Sequence, residues 1–239
     1  MGNYLANEAR EKGAPAGLDG VDPDLRQYIL RVYSYMAWGL ALTSLIAYIG
    51  ATSGFYSSVA GTPLFWVVLL APLGLVMLLS FRIERISLGA AQISFWAYAA
   101  LVGLSLSGIF LVYTGESIAR VFLISAATYG ATSIYGYTTR ADLSRFGSFL
   151  FMGLFGIVIA GLVNLFVAST ALQFVVSVIG VLVFTGLTAY DTQRIRDIYI
   201  AGEDDVIAGK KAILGALALY LDFLNIFLML LRLFGGRRR

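Results

Sequence analysis

Long apolar runs separated by short polar links dominate this chain. Seven runs can be placed, near residues 29–51, 63–81, 92–113, 118–138, 147–168, 171–192 and 212–234. Each is close to the roughly 20 residues an α-helix needs to cross the hydrocarbon of a bilayer. None alternates apolar and polar positions with the period of two that marks a membrane β-strand. The pattern therefore predicts an all-α polytopic membrane protein with seven transmembrane helices. The breaks are brief: Gly61-Thr62-Pro63 opens the second run, and Ser169-Thr170 is almost the whole link between the fifth and sixth. Links this short make neighbouring helices antiparallel. They predict one helical domain over residues 27–236, after a flexible polar tail at 1–26 and before a basic end at 237–239.

Composition narrows the chemistry. Of 239 residues 59% are hydrophobic and only 13% charged, against about 25% charged in soluble domains. With no Cys, the chain has no disulfide framework, thiol nucleophile or thiolate metal site. With no His, it lacks the commonest metal ligand and the usual switch near neutral pH. Any pH sensing falls to carboxyl groups. The first 26 or so residues mix acids and bases and lack the apolar core of a cleavable signal, so the first apolar run is expected to serve as the insertion signal.

Lys and Arg set the orientation. Arg10, Lys12, Arg26 and Arg31 lie before or at the edge of the first run. Arg82 and Arg85 lie in the second link, Arg140 and Arg145 in the fourth, and Arg194, Arg196, Lys210 and Lys211 in the sixth. The alternate links hold only Arg120. The N-terminus is thus expected in the cytoplasm. Seven crossings then put Arg237, Arg238 and Arg239 outside, against the same rule. Either the last segment re-enters without crossing, or three terminal charges fail to override six earlier helices. The sequence leaves both open.

Small residues four apart, such as Gly103 with Ser107 and Ala126 with Gly130, point to tight helix packing in lipid. Polar residues inside the runs are more informative. Asp191 and Asp222 fall at membrane depth, where an ionisable group costs several kcal/mol and usually persists because it is used. Thr185, Thr188 and Asp191 share one face of the sixth run, and Asp222 and Asn225 lie three apart in the seventh. Thr128, Thr132 and Tyr135 share a face of the fourth. Together these could line a hydrated path. The competing structural explanation is that the hydroxyls bond to their own helix carbonyls, and that Asp191 pairs with Arg194 or Arg82 at the membrane edge. The cluster Glu203-Asp204-Asp205 reads as a solvated loop face, since it lacks the spacing of a calcium-binding loop.

Three separated stretches carry a resemblance. Thr185-Gly186-Leu187-Thr188-Ala189-Tyr190-Asp191-Thr192-Gln193-Arg194-Ile195-Arg196 resembles the signature of the Bax inhibitor-1, or transmembrane Bax-inhibitor-motif, family. Ala218-Leu219-Tyr220-Leu221-Asp222-Phe223-Leu224-Asn225-Ile226-Phe227-Leu228 is similar to its last helix. Tyr135-Gly136-Tyr137-Thr138-Thr139-Arg140-Ala141-Asp142-Leu143-Ser144 is similar to the inner end of its fourth, and Arg31-Val32-Tyr33-Ser34-Tyr35-Met36-Ala37 also fits. The short loops resemble bacterial members, which implies the bacterial inner membrane. The resemblance implies two three-helix layers around a central C-terminal helix. It also implies a pH-sensitive calcium leak in which two aspartates, here Asp191 and Asp222, share a proton and bind calcium weakly and transiently. A basic residue closing the pore would be Arg82 or Arg85.

The physics agrees with such a role. Two carboxylates in a low-dielectric site resist ionising together and hold one proton between them. Calcium prefers several oxygen ligands, and a leak must bind its ion loosely enough to release it. No cofactor is expected beyond calcium as the permeant ion. The expected partners are the lipid bilayer, calcium and protons, with no nucleic acid. The alternative function is a non-enzymatic regulator of a membrane-bound AAA protease or of a stress or cell-death response, with the polar tail as its contact. An intramembrane aspartyl protease would need Gly-x-Gly-Asp where this chain has Leu219-Tyr220-Leu221-Asp222, so the chain is not expected to be an enzyme.

Overall fold

The computed structural model describes residues 22–238 and is all-helical apart from one isolated bridge. Its helices are α1 (Pro23–Thr52), α2 (Phe55–Val59), α3 (Pro63–Arg82), α4 (Leu88–Val112), α5 (Gly115–Thr138), α6 (Ser144–Val167), α7 (Thr170–Asp197) and α8 (Asp205–Phe234). Most long helices begin where a polar side chain can cap free N–H groups. Asp22, Ser87, Thr114, Ser169 and Asp204 each accept a bond from a backbone N–H in the turn that follows. α1 starts at Pro23, so residues 23–26 of the expected tail are helical. Residues 1–21 of that tail, and Arg239 of the basic end, lie outside the described residues.

Six of these helices are long and apolar enough to cross a membrane. The exception among the seven long ones is α5, which at 24 residues has the length but carries Glu116, Arg120 and a series of Ser and Thr. Exposed apolar side chains, among them Trp38, Trp66, Phe81, Phe155, Leu165 and Phe166, cover the outside. In water such a surface would cost far more than a folded domain can spare, whereas lipid is its natural solvent. The chain is an integral membrane protein.

The last helix is the hub. α8 packs against α1, α4, α5 and α7. It buries 72% of its most apolar stretch, whereas α6 buries only 6% and α3 only 11%. α1 packs along α4, which carries α3, and α5 and α6 both pack on α7.

Hydrogen bonds place the links at two ends. At the end where α1 starts, the proximal end, Tyr28 packs on Tyr199 with ring centroids 5.5 Å apart. Lys210 donates to the Glu84 carbonyl (3.2 Å) and Gln193 to the Ala141 carbonyl (2.8 Å), so links 83–87, 139–143 and 198–204 gather there. At the distal end Thr114 N–H donates to the Gly236 carbonyl (3.0 Å), and Arg238 N–H to the Val112 carbonyl (2.9 Å). α8 therefore runs the whole length of the bundle. Arg237 and Arg238 lie at the end opposite the start of α1.

Candidate functional site

α7 and α8 run antiparallel with little between them. A methyl group on Gly215 would meet Ile195 at 3.1 Å, and one on Gly180 would meet Met229 at 3.0 Å. These facing pairs fix a register in which Asp191 and Asp222 fall within reach of each other. The two carboxyls lie near enough for each to act on the other's charge. Asp222 is 4% exposed and its Oδ2 has no hydrogen-bond partner among the described residues. Asp191 is half-buried and forms no ion pair among the described residues. Arg194 acts on the Asp191 charge without closing to an ion pair.

The depth mismatch expected between the two groups is resolved at the proximal end. α8 begins at Asp205, seven residues before the apolar run that marks it in the sequence. Its first turns project beyond α7, and Lys211 reaches back to the Ile198 carbonyl (3.2 Å). Asp222 consequently sits lower along the bundle than its distance from Lys211 suggests.

Both carboxyls line a groove of about 480 Å3 between α6, α7 and α8. Asn225 lines it as well; its Nδ2 donates to the Leu221 carbonyl (2.8 Å), which leaves its oxygen for the groove. Thr188 is fully buried and its hydroxyl donates to the Phe184 carbonyl (2.8 Å). Thr185 holds a buried hydroxyl without a partner. Neither threonine is among the groove's lining residues. Among the described residues no group of three or more acids gathers as a tight metal site. Two carboxyls and one amide oxygen make a weak calcium site at most.

Three expectations are corrected. Thr128 and Thr132 do not line an interior path. Their hydroxyls bond back to the carbonyls of Ile124 and Thr128, and Tyr135 on the same face is 53% exposed. Helical spacing identifies a shared face but not its direction, and α5 turns inward the face of Ser125, Tyr129, Ser133 and Gly136. Arg82 and Arg85 are both exposed near the proximal end of α3, and neither reaches the groove of the carboxyl pair. Glu203 is not on a solvated face: it accepts two bonds from Lys211 Nζ (2.7 and 2.8 Å), while Asp204 caps α8.

Contacts between the recognisable stretches escaped sequence reasoning. Gly136 lies directly against the Ala189 backbone, where a methyl would overlap the Ala189 oxygen and stand 2.8 Å from its Cα. Arg196 donates to the Tyr137 carbonyl. Gln193, 5% exposed, accepts from Leu143 N–H (2.8 Å) and donates to the Ala141 carbonyl (2.8 Å). It thereby caps the start of α6, whose own Leu143 has no side-chain oxygen to offer. The stretch at 185–196 is thus clamped to α5 and its link on one side, and carries Asp191 to α8 on the other. A buried amide just past an apolar run was the available signal. Arg232, also lining the groove, was hidden inside the last apolar run.

Comparison with known proteins gives the family. The family model described as "Inhibitor of apoptosis-promoting Bax1" matches residues 25–239. The chain is 48% identical over 218 residues to "Inner membrane protein YbhL" of Escherichia coli, covering 90% of this chain and 93% of that protein. It is 46% identical over 218 residues to "Uncharacterized protein RP147" of Rickettsia prowazekii, covering 91% and 92%. An "Uncharacterized membrane protein" of Streptococcus pyogenes is 37% identical over 218 residues, covering 90% and 94%.

Proposed function

The chain belongs to the Bax inhibitor-1 family, and on that premise we propose that it is a pH-sensitive calcium leak gated by a proton shared between Asp191 and Asp222. The observation that carries this reading is the meeting of the two carboxyls on adjacent helices, with one Asp222 oxygen buried and unpartnered. A protonated pair is bridged and carries one negative charge, which holds α7 to α8. Loss of the proton leaves two like charges in a low-dielectric site, which repel and attract a divalent cation in the proton's place. Asn225 supplies a further oxygen beside them. Either Arg82 or Arg85 acts as the closing cation only if α3 shifts toward the pair, so the gate residue lies in a second state of the bundle.

In this reading all seven long helices cross, as two three-helix layers around α8, in an inner membrane like that in the printed name of the Escherichia coli relative. The proximal end, with Arg31, Arg140, Arg145, Arg194, Lys210 and Lys211, faces the cytoplasm. The protein is not an enzyme, and calcium is its cargo rather than a cofactor. The alternative reading, regulation of a membrane-bound AAA protease through the polar tail, concerns residues largely outside those described, and no feature of the bundle favours it.

The test is calcium flux into liposomes holding the purified protein, from roughly pH 6 to 8, beside Asp191→Asn and Asp222→Asn. An amide can form one bridge but cannot titrate. Flux that changes with pH in the parent and is flat in both variants supports the gate. Flux identical to the parent at every pH sinks it.

A further inference from the structure

The groove beside the carboxyl pair opens toward the bilayer rather than toward the bundle axis. α6 and α8 flank α7 and scarcely meet each other, so the gap between them is closed only by whatever lies outside. Its wall is apolar, with Leu154, Ile157, Val158, Val176, Phe184 and Met229. The neighbouring outer face of α6, with Phe155 67% and Leu162 55% exposed, has no protein over it. Away from the carboxyl pair and Asn225, one lining residue does not fit an apolar wall. Arg232 is a permanent cation, exposed, in the last turn of α8, and forms no ion pair among the described residues.

Spacing along α8 says at what depth this cation lies. Lys211 and Arg232 are 21 residues apart in one helix, or about 31 Å at 1.5 Å per residue, which matches a hydrocarbon core of about 30 Å. Arg232 lies in the last turn of α8, four residues before the Gly236 that bonds to the distal link, so it stands at the distal end of the bundle. Asp222 lies about 15 Å from it along the helix, half the thickness of such a core. The groove thus has the length of one leaflet's acyl region, an apolar wall along that length, and a cation at headgroup level. A cation in that place finds its counter-charge in a phosphodiester.

We propose that an anionic phospholipid of the distal leaflet occupies this groove, its phosphate on Arg232 and one acyl chain laid between α6 and α8 toward Asn225. The site goes beyond the leak reading and does not depend on it. If the leak also operates, the chain shuts the distal approach to the carboxyl pair.

The test is photolabelling of the full-length protein in vesicles doped with phosphatidylglycerol carrying a diazirine on its acyl chain, with labelled positions mapped by peptide mass spectrometry. Labels are expected at Leu154, Ile157 and Met229. Replacing the headgroup by phosphatidylcholine, or making Arg232→Gln, should reduce them about fivefold, the factor one interfacial charge contributes toward an anionic lipid. Arg232→Lys should retain most of the label. Equal labelling of Arg232→Gln and the parent overturns the proposal. So does equal labelling by the two headgroups, or label spread evenly over the outer faces of α3 and α6. No flux is measured, so failure of the lipid site is distinguishable from failure of the leak.

Discussion

Gly136 offers the sharpest test of how the site is held. Replacing it by Ala adds a methyl that overlaps the Ala189 oxygen and stands 2.8 Å from Ala189 Cα. Both are backbone atoms of α7, so no side-chain rotation relieves the contact and the helices must part. Over-packing of this kind costs about 1–3 kcal/mol. Gly130 on the same helix is the control, because a methyl there meets nothing within 4 Å. Both substitutions bring the same helix-propensity gain of about 1 kcal/mol, so their difference isolates the steric cost. At about 2–4 °C per kcal/mol for a chain of this size, Gly136→Ala should melt about 2–12 °C below Gly130→Ala. Intrinsic fluorescence of Trp38, Trp66 and Trp96 during a thermal ramp in detergent reads the transition. Because Ala189 is two residues from Asp191, the same variant should also disturb the carboxyl pair. A Gly136→Ala protein at least as stable as Gly130→Ala would refute the close approach and the clamp built on it.

Two further predictions concern the proximal end. Gln193→Leu keeps the volume but removes both 2.8 Å bonds to link 139–143. At about 1 kcal/mol per lost bond, amide exchange at residues 143–146 should accelerate about 5- to 30-fold, and exchange no faster than in the parent would show that the link is held by something else. Asp142 tests the assignment of pH sensing. Its bonds to Ser144, side chain first and then backbone, hold its carboxyl below the ordinary aspartate range. A depressed folded value means that its contribution is present above the unfolded pKa and lost only as pH falls through the folded one. It is therefore ionised throughout the neutral range. Asp142→Asn should leave the pH profile of calcium flux unchanged, and a flattened profile would move the sensor from the groove to the link.

Much of the architecture was legible along the chain. The seven apolar runs coincide with the seven long helices, and Ser87, Thr114, Ser169 and Asp204 mark starts by capping chemistry that a sequence shows directly. The start of α8 was not legible as depth, because Asp205, Lys210 and Lys211 lie before the apolar run and a hydropathy pattern places that helix from residue 212. Those hidden turns decide whether Asp191 and Asp222 meet. Which end of the bundle holds residues 236 and 238 was likewise beyond charge counting, and follows from their backbone bonds to the α4–α5 link. On α5 the threonine pattern was visible but pointed the wrong way, since the residues that allow close approach are the smaller Ser125, Ser133 and Gly136. Polarity inside an apolar run shows that a side chain needs a partner. It does not show whether that partner is a neighbouring helix or the turn behind it.

The two faces of α8 differ in a way that bears on any movement at the pair. Tyr220 and Asp222 are two residues apart and so point to nearly opposite sides of one helix. On the Tyr220 side the hydroxyls of Tyr220 and Thr43 are both engaged. The tyrosine hydroxyl lies 2.6 Å from Thr43 Oγ1, which donates to the Ala99 carbonyl (2.8 Å), and the ring meets Phe95 and Tyr98 edge-on. Tyr220 and Phe95 are fully buried. α1, α4 and α8 are thereby locked as one body. On the Asp222 side there is a groove, an unpartnered carboxyl oxygen and a helix, α6, that packs on α7 but scarcely on α8. Close-packed interfaces resist graded deformation, so displacement follows the surface where packing is incomplete. A change of charge at the pair should therefore move α6 relative to α8, with the Tyr220 side as the fixed frame. Gln193 ties the start of α6 to α7, so the motion is resisted at the proximal end. Motion of this form widens or narrows the groove between α6 and α8 while the proximal link stays clamped.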